Sequence, residues 1–316
     1  MTRKSLYAPD SPLRGLSKLG LTEKRFPLNT RSDIPGLRDL WTKSKQMFWD
    51  PRRDIPYAKF DRSRYSQEQL DAARLGWSRR AWTEYTGIIE SPAMLIRLAL
   101  DGQAPIEAKF VLAAKVIEEA RHCEASFLLA EAMGGYIPEP PPHDAIVRLV
   151  VAGFRDRLAF NPEISAEAAI AGWHVISEGI ALDIFAARYR RCDEPVTKDT
   201  LRYIMQDEVR HVAVGWELLE HVVPKMSKAE VKEIEAVVVD IMENVEMKGF
   251  HSMCLLPDLD SALKEAERIA GEARLGFCPP EEEHRVFVKS IQEIRARFAK
   301  MGITIPTYPE IEKIAA

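Results

Sequence analysis

Strand signals are nearly missing from this chain: there are no alternating β-branched runs and no Asn-Gly hairpin turns, which excludes a β-sandwich or barrel. Its four cysteines, Cys123, Cys192, Cys254 and Cys278, are scattered and form no CxxC pair. That excludes a thiolate zinc site and a disulfide framework, and fits a reducing cytoplasm. No 18 consecutive apolar residues occur, so no transmembrane helix and no membrane partner are expected. The opening MTRKSLYAPDSPLRG lacks the apolar segment of a secretory signal. Basic residues number 44 against 48 acidic ones, and this balance offers no excess charge to hold nucleic acid. A flavin or nicotinamide motif is also missing. What remains, 316 residues with 46% hydrophobic content, suits a soluble protein with a sizeable core.

The pattern along the chain is helical. Residues 1–64 read as an irregular N-terminal arm with one short helix near 36–47. Residues 65–250 form the main bundle, and 251–316 a C-terminal helical extension of the same domain. Helical spacing of apolar residues begins at the capping residue Ser66 and breaks at Asp101–Pro105. A second helix runs to about Met133 and stops at Gly134-Gly135. Further helices are predicted near 144–160, 165–191, 198–222, from Ser227 onward, 258–274 and 280–300. The class is all-α, a four-helix bundle with additional helices.

Two helices carry nearly the same word. EEARH spans Glu118 to His122, and DEVRH spans Asp207 to His211. Residues three apart on a helix lie about 5–6 Å from each other, so Glu119 with His122, and Glu208 with His211, can each hold one metal. A di-metal site in a bundle needs one more Glu from each of two other helices. Antiparallel helices meet at equal distances from their turn. Glu84 precedes Gly102 by 18 residues and Glu119 follows it by 17; Glu178 and Glu208 each lie 15 from Asp193. Glu90, only 12 before Gly102, sits too close to the turn and is kept as a further candidate ligand. His174, one turn before Glu178, is another. Glu118 and Asp207 are placed to accept the free N–H of the opposite hairpin's histidine, and Arg121 and Arg210 to balance their charge. Small residues beside the ligands, Gly87 and Gly179, leave room for a substrate, with Trp173 as a pocket wall. His143, His221, His251 and His284 have no partner spacing and read as ordinary polar residues.

Four carboxylates and two imidazoles form a hard donor set that suits iron or manganese. With these residues the chain resembles the ferritin-like di-iron carboxylate proteins, in the branch of the ribonucleotide reductase small subunit, over about residues 48–222. FWDPRRDIP at 48–56 resembles the segment that precedes the first bundle helix there. The resemblance implies a ferritin-like bundle with Glu84, Glu119, His122, Glu178, Glu208 and His211 as ligands. It also implies two iron ions or a Mn/Fe pair, and dioxygen as co-substrate. The function implied is an oxidase or oxygenase acting on a small organic molecule, as a homodimer, with electrons from a donor protein or from the substrate.

Departures from relatives narrow this reading. Ser126, also a pocket candidate, stands where the reductase subunit has its radical-bearing Tyr. Gly87 and Trp173 stand where the ligand-binding oxidases cross-link a Val to a Tyr. The ligand spacing is closest to p-aminobenzoate N-oxygenases, but Ile204 replaces their additional His. The alternatives are iron storage or detoxification, and a reductase-like radical or ligand-binding oxidase with a Mn/Fe centre.

Overall fold

The computed structural model describes residues 34–100, 104–138, 149–256 and 261–313, and no strand occurs among them. Helix α1 (Pro35–Gln46) and a single turn (Pro51–Asp54) lead into α2 (Gln67–Leu100). At the start of α2, Ser66 Oγ accepts from the Gln69 N–H at 3.2 Å and Gln69 Oε1 accepts from the Ser66 N–H at 3.0 Å. This reciprocal pair fixes the helix entry. Helix α3 (Ile106–Met133) ends at Gly134 and Gly135, with φ of 135° and 118°, which residues with a Cβ rarely adopt. Residues 139–148, with His143 and the start of the helix predicted near 144–160, lie outside the described residues.

A π-helical stretch (Leu149–Ala159) precedes α4 (Ala166–Arg191), α5 (Pro195–Val222) and α6 (Lys228–Asn244). Helices α7 (Ser261–Glu272) and α8 (Pro280–Lys300) follow. Helices α2 and α3 form one hairpin, α4 and α5 a second, and α3 packs on α5. The α1 segment rests on α3 and α5, while α8 covers α4 and α7 lies along α2.

The apolar spacing of α4 predicts an uninterrupted α-helix, yet Ala171–Ser177 is π-helical. A π-turn inserts an extra residue per turn and is frequent at functional sites; here it ends directly before Glu178. Gly215 on α5 makes this close packing feasible, because a Cβ there would lie 2.8 Å from Val175 and 2.9 Å from His174. By length and hydropathy α4 is apolar enough to span a membrane, but 72% of its most apolar window is buried inside the protein. It is the central helix of the core.

The buried apolar residues form two clusters. One holds Met94, Leu112, Ile176, Ile180 and Leu218; the other holds Trp49, Trp77, Leu129, Phe185 and Ile204. On α3 the apolar positions Val111 and Leu112 belong to the first cluster, and Ala125 and Leu129 to the second. Between them lie Lys115, Glu118, Glu119, Arg121 and His122, all buried. The same interruption on α5 falls at Asp207 to His211. A polar band therefore divides the core, and buried charge on this scale is tolerated only when neutralised.

Candidate metal centre

Six side chains from four helices converge in that band. Glu84, Glu119 and His122 place ligand atoms within 4.8 Å of one another, and so do Glu119, Glu178 and His211. Glu119 belongs to both groups: its Oε2 lies 3.9 Å from His122 Nδ1 and its Oε1 lies 3.7 Å from His211 Nδ1. Glu208 also faces both, with Oε1 3.4 Å from His122 Nδ1 and Oε2 3.2 Å from His211 Nδ1. Glu84 Oε2 lies 3.8 Å from His122 Nδ1. Both imidazoles are fully buried.

The far nitrogen of each imidazole is held across the hairpins. Asp207 Oδ2 lies 3.2 Å from His122 Nε2, and Glu118 Oε2 lies 2.8 Å from His211 Nε2. These contacts fix the tautomer and turn each Nδ1 toward the carboxylates. His122 Nδ1 is buried with no hydrogen-bond partner in the described structure. A buried, unpaired imidazole nitrogen facing three carboxylates fits a metal ion, and the donor set suits iron or manganese. Without an ion, burial opposes a charge on His211, yet Glu118 and Glu208 raise its pKa to about 9. A proton on Nδ1 must therefore leave before that nitrogen can ligate.

Arg121 and Arg210 are buried here, not turned to solvent. Arg210 Nη2 donates to Glu118 Oε1 at 2.6 Å and also contacts Asp207; Arg121 Nη2 donates to Asp207 Oδ2 at 3.0 Å. Two carboxylates and two guanidiniums thus cancel. The sequence reading missed a fifth member. Trp49, from the segment before α2, donates its Nε1–H to Asp207 Oδ2 at 2.8 Å and stacks on Tyr203 at 5.0 Å. Its place in the FWDPRRDIP stretch was the available signal.

Two more cations were missed. Arg80 Nε lies 2.5 Å from Glu84 Oε1. Lys115 is 1% exposed, touches Glu119 Oε1 and lies 2.7 Å from Glu178 Oε1. Their i,i+4 positions relative to Glu84 and Glu119 were legible in the sequence. His174, proposed as a further ligand, joins neither group; its Nδ1 lies 2.9 Å from Glu178 Oε2 and 3.0 Å from the His211 carbonyl.

A cavity of about 90 Å³ opens on the carboxylates of Glu84, Glu90, Glu119, Glu178 and Glu208. Phe154 and Trp173 form an apolar wall, and Arg80, Thr83, Ala181, Phe250 and His251 are shared with a neighbouring cavity of about 110 Å³. Of the expected pocket residues, Gly87 and Trp173 line the cavity, whereas Gly179 and Ser126 do not. A Cβ on Gly179 would face Ile294 at 3.3 Å, so that glycine serves packing against α8. Ser126 is buried one turn beyond His122, beside core residue Ala125. His251, read as an ordinary polar residue, lines both cavities, and its Nδ1 lies 2.8 Å from the buried Glu246. It comes from outside the four-helix bundle, where helical spacing carries no information.

Gly87 makes space for a ligand, since a Cβ there would lie 2.8 Å from Glu119 Oε2. Gly87→Ala should displace that carboxylate and weaken metal binding by roughly 10–100-fold, the range for losing a residue that orients a ligand. Isothermal titration with Mn(II) measures this, and unchanged affinity rules out the steric role.

Glu90 is buried, its Oε2 has no hydrogen-bond partner, and burial raises its pKa from the ordinary 4.5 to about 7. The folded state thus holds this proton more tightly than the unfolded chain. Its stabilising contribution is complete below about pH 4.5 and is lost as pH rises through about 7. Glu90→Gln should therefore gain stability over the native chain at pH 8 but not at pH 4. Urea melts of chelator-treated protein at both values check this, and equal differences at both would contradict it.

No protein-family model and no curated protein matches the chain. Solved structures do. An R2-like ligand-binding oxidase with aerobically reconstituted metal cofactor after photoconversion superposes with a TM-score of 0.66 at 15% identity, over 84% of this chain and 93% of that one. A variant R2-like ligand-binding oxidase with aerobically reconstituted Mn/Fe cofactor gives 0.64 at 14% identity, over 84% and 93%. Another, with anaerobically reconstituted Mn/Fe cofactor, gives 0.62 at 16%, over 85% and 93%. The chain has the R2-like, ferritin-like fold. In this R2-like bundle the polar band sits at mid-height of the four central helices, where both hairpins contribute to one site.

Proposed function

We propose that this protein is a di-metal oxidoreductase that uses dioxygen to oxidise a small organic molecule, with iron or an iron–manganese pair as its metals. The observation that carries this reading is the shared Glu119, which joins two ligand groups, each with an imidazole oriented by a carboxylate. Bound metal ions would supply the electrons and Lewis acidity for dioxygen chemistry. Glu84, Glu119, Glu178, Glu208, His122 and His211 would hold them. The neighbours named as Mn/Fe oxidases support the choice of metals.

The residues around the cavity limit what enters. Phe154 and Trp173 present an apolar wall, and the small volume restricts the substrate to a small molecule or the reactive end of a longer one. His251, backed by Glu246, stands at the mouth shared with the outer cavity, where it can exchange protons with a bound molecule. Gly87 and Trp173 occupy the positions of the cross-linked pair, so this chain's chemistry excludes that cross-link. Electrons come from a donor protein or from the substrate.

A homodimer completes the proposal. Tyr85, Ile89 and Ile96 on α2, with Phe110 and Ile117 on α3, are exposed large apolar residues of one hairpin, a surface suited to a second copy. Helix α6 turns Ile234, Val238, Ile241 and Met242 into the protein's own core, which leaves them no part in such a surface.

Expression with iron and manganese supplied, then elemental analysis and oxygen-electrode traces after Fe(II) addition, tests the reading. Protein free of both metals, or unable to consume dioxygen, overturns it. Gel filtration separates a dimer from the large cage expected of iron storage.

A further inference from the structure

Lys115 is the charge that the metal reading leaves unexplained. It lies one turn before Glu119 on α3, with its side chain 1% exposed. Its ammonium touches Glu119 Oε1 and lies 2.7 Å from Glu178 Oε1. Those are the carboxylates that, with His211, make up the second ligand group. The ring of Trp173, 5.5 Å from Nζ, closes the apolar side.

The first group, Glu84, Glu119 and His122, differs in kind. Arg80 sits at Glu84 Oε1 and leaves Oε2 facing His122, and Lys115 meets Glu119 on Oε1, the oxygen turned to His211, leaving Oε2 toward His122. The Arg80 side chain is 18% exposed and lines both cavities, so it can swing outward when an ion arrives. Lys115 has no such route to water. Four glutamates carry a charge of −4, which two divalent ions would cancel. One divalent ion with the Lys115 ammonium leaves −1, and two ions with it leave +1. A second ion must therefore enter a pair of carboxylates already bridged by a buried cation, and its binding leaves the buried site with excess positive charge.

We propose that Lys115 is the resident cation of the second metal position, so that the protein takes one divalent transition-metal ion tightly at Glu84, Glu119, His122 and Glu208. A second ion binds Glu119, Glu178 and His211 only when Lys115 withdraws. This rests on the di-metal reading of the site. It makes loading ordered, with the two positions unequal before any chemistry.

The test uses the full chain, stripped by chelator and titrated anaerobically with Mn(II), the free ion being counted by its EPR signal. The native protein should bind one Mn(II) per chain, with a second at least roughly tenfold weaker, about 1.4 kcal/mol. Lys115→Met should bring the second affinity up by that factor, and Lys115→Arg, which keeps the charge, should not. Two equal sites in the native chain, or no gain in Lys115→Met, overturns the proposal. Absence of any bound Mn(II) or Fe(II) overturns the di-metal reading instead. Should Lys115→Met fail to fold, anomalous scattering at the manganese edge from native crystals grown at one equivalent decides. A single peak at Glu84 and His122 supports the proposal; equal peaks at both positions overturn it.

Discussion

Glu119→Ala should weaken metal binding at both positions of the site by more than about 100-fold, beyond the 10–100-fold typical of a residue that only orients a ligand. Glu119 alone is common to the two ligand groups, with one oxygen turned to His122 and the other to His211. Glu84→Ala or Glu178→Ala should weaken one position and spare the other, because each appears in one group only. The comparison separates a shared ligand from a general disturbance of the band. Elemental analysis after desalting reads the outcome, with circular dichroism to confirm that helices persist. Glu119→Gln keeps the shape and hydrogen-bonding capacity with Lys115 but removes the charge, so it should retain the fold and still lose metal. If Glu119→Ala retained one full equivalent, the bridging role would be wrong.

Helix order and the convergence of the six candidate side chains were legible because both rest on local rules. Caps such as Ser66, the glycine pair at 134–135 and the 3.6-residue period fix where helices start and stop. Equal distance from a turn then brings Glu84 to Glu119 and Glu178 to Glu208 without knowledge of packing. What stayed hidden depends on tertiary packing. The π-turn at Ala171–Ser177 leaves no mark in an apolar pattern, since its residues are buried on every side. Gly179 carries no sign of which neighbour needs the space, and the structure gives that space to Ile294. Trp49 reaches Asp207 from 158 residues away, and His251 reaches the cavity from outside the bundle. Lys115 was visible one turn before Glu119, but a lysine beside a glutamate on a helix usually denotes a solvated pair. Only its burial distinguishes it.

Asp207→Ala should cost about 3–5 kcal/mol of folding stability, the range for breaking a buried charge pair from one side. The residue is fully buried, and its Oδ2 accepts from Trp49 Nε1 at 2.8 Å and Arg121 Nη2 at 3.0 Å, with His122 Nε2 at 3.2 Å. Its Oδ1 contacts Arg210. Truncation leaves Glu118 as the single carboxylate near two guanidiniums, 2.6 Å from Arg210 and 3.5 Å from Arg121. Asp207→Asn keeps an acceptor for Trp49 but strands the same positive charge, so it should fall between the native chain and the alanine variant. The pH dependence adds a second check. Burial works against the Asp207 charge, but His122, Arg121 and Arg210 overcome it and hold the pKa below the ordinary 3.8. The contribution is therefore complete above that ordinary value and lost as pH falls through the lowered one, so the native chain and Asp207→Asn should converge only in strong acid. Urea denaturation of chelator-treated proteins at pH 7 and pH 3 measures both effects. A cost below about 1 kcal/mol at pH 7 would place Asp207 among weakly coupled surface pairs, and the charge-balanced band would then not be what holds the two histidines in place.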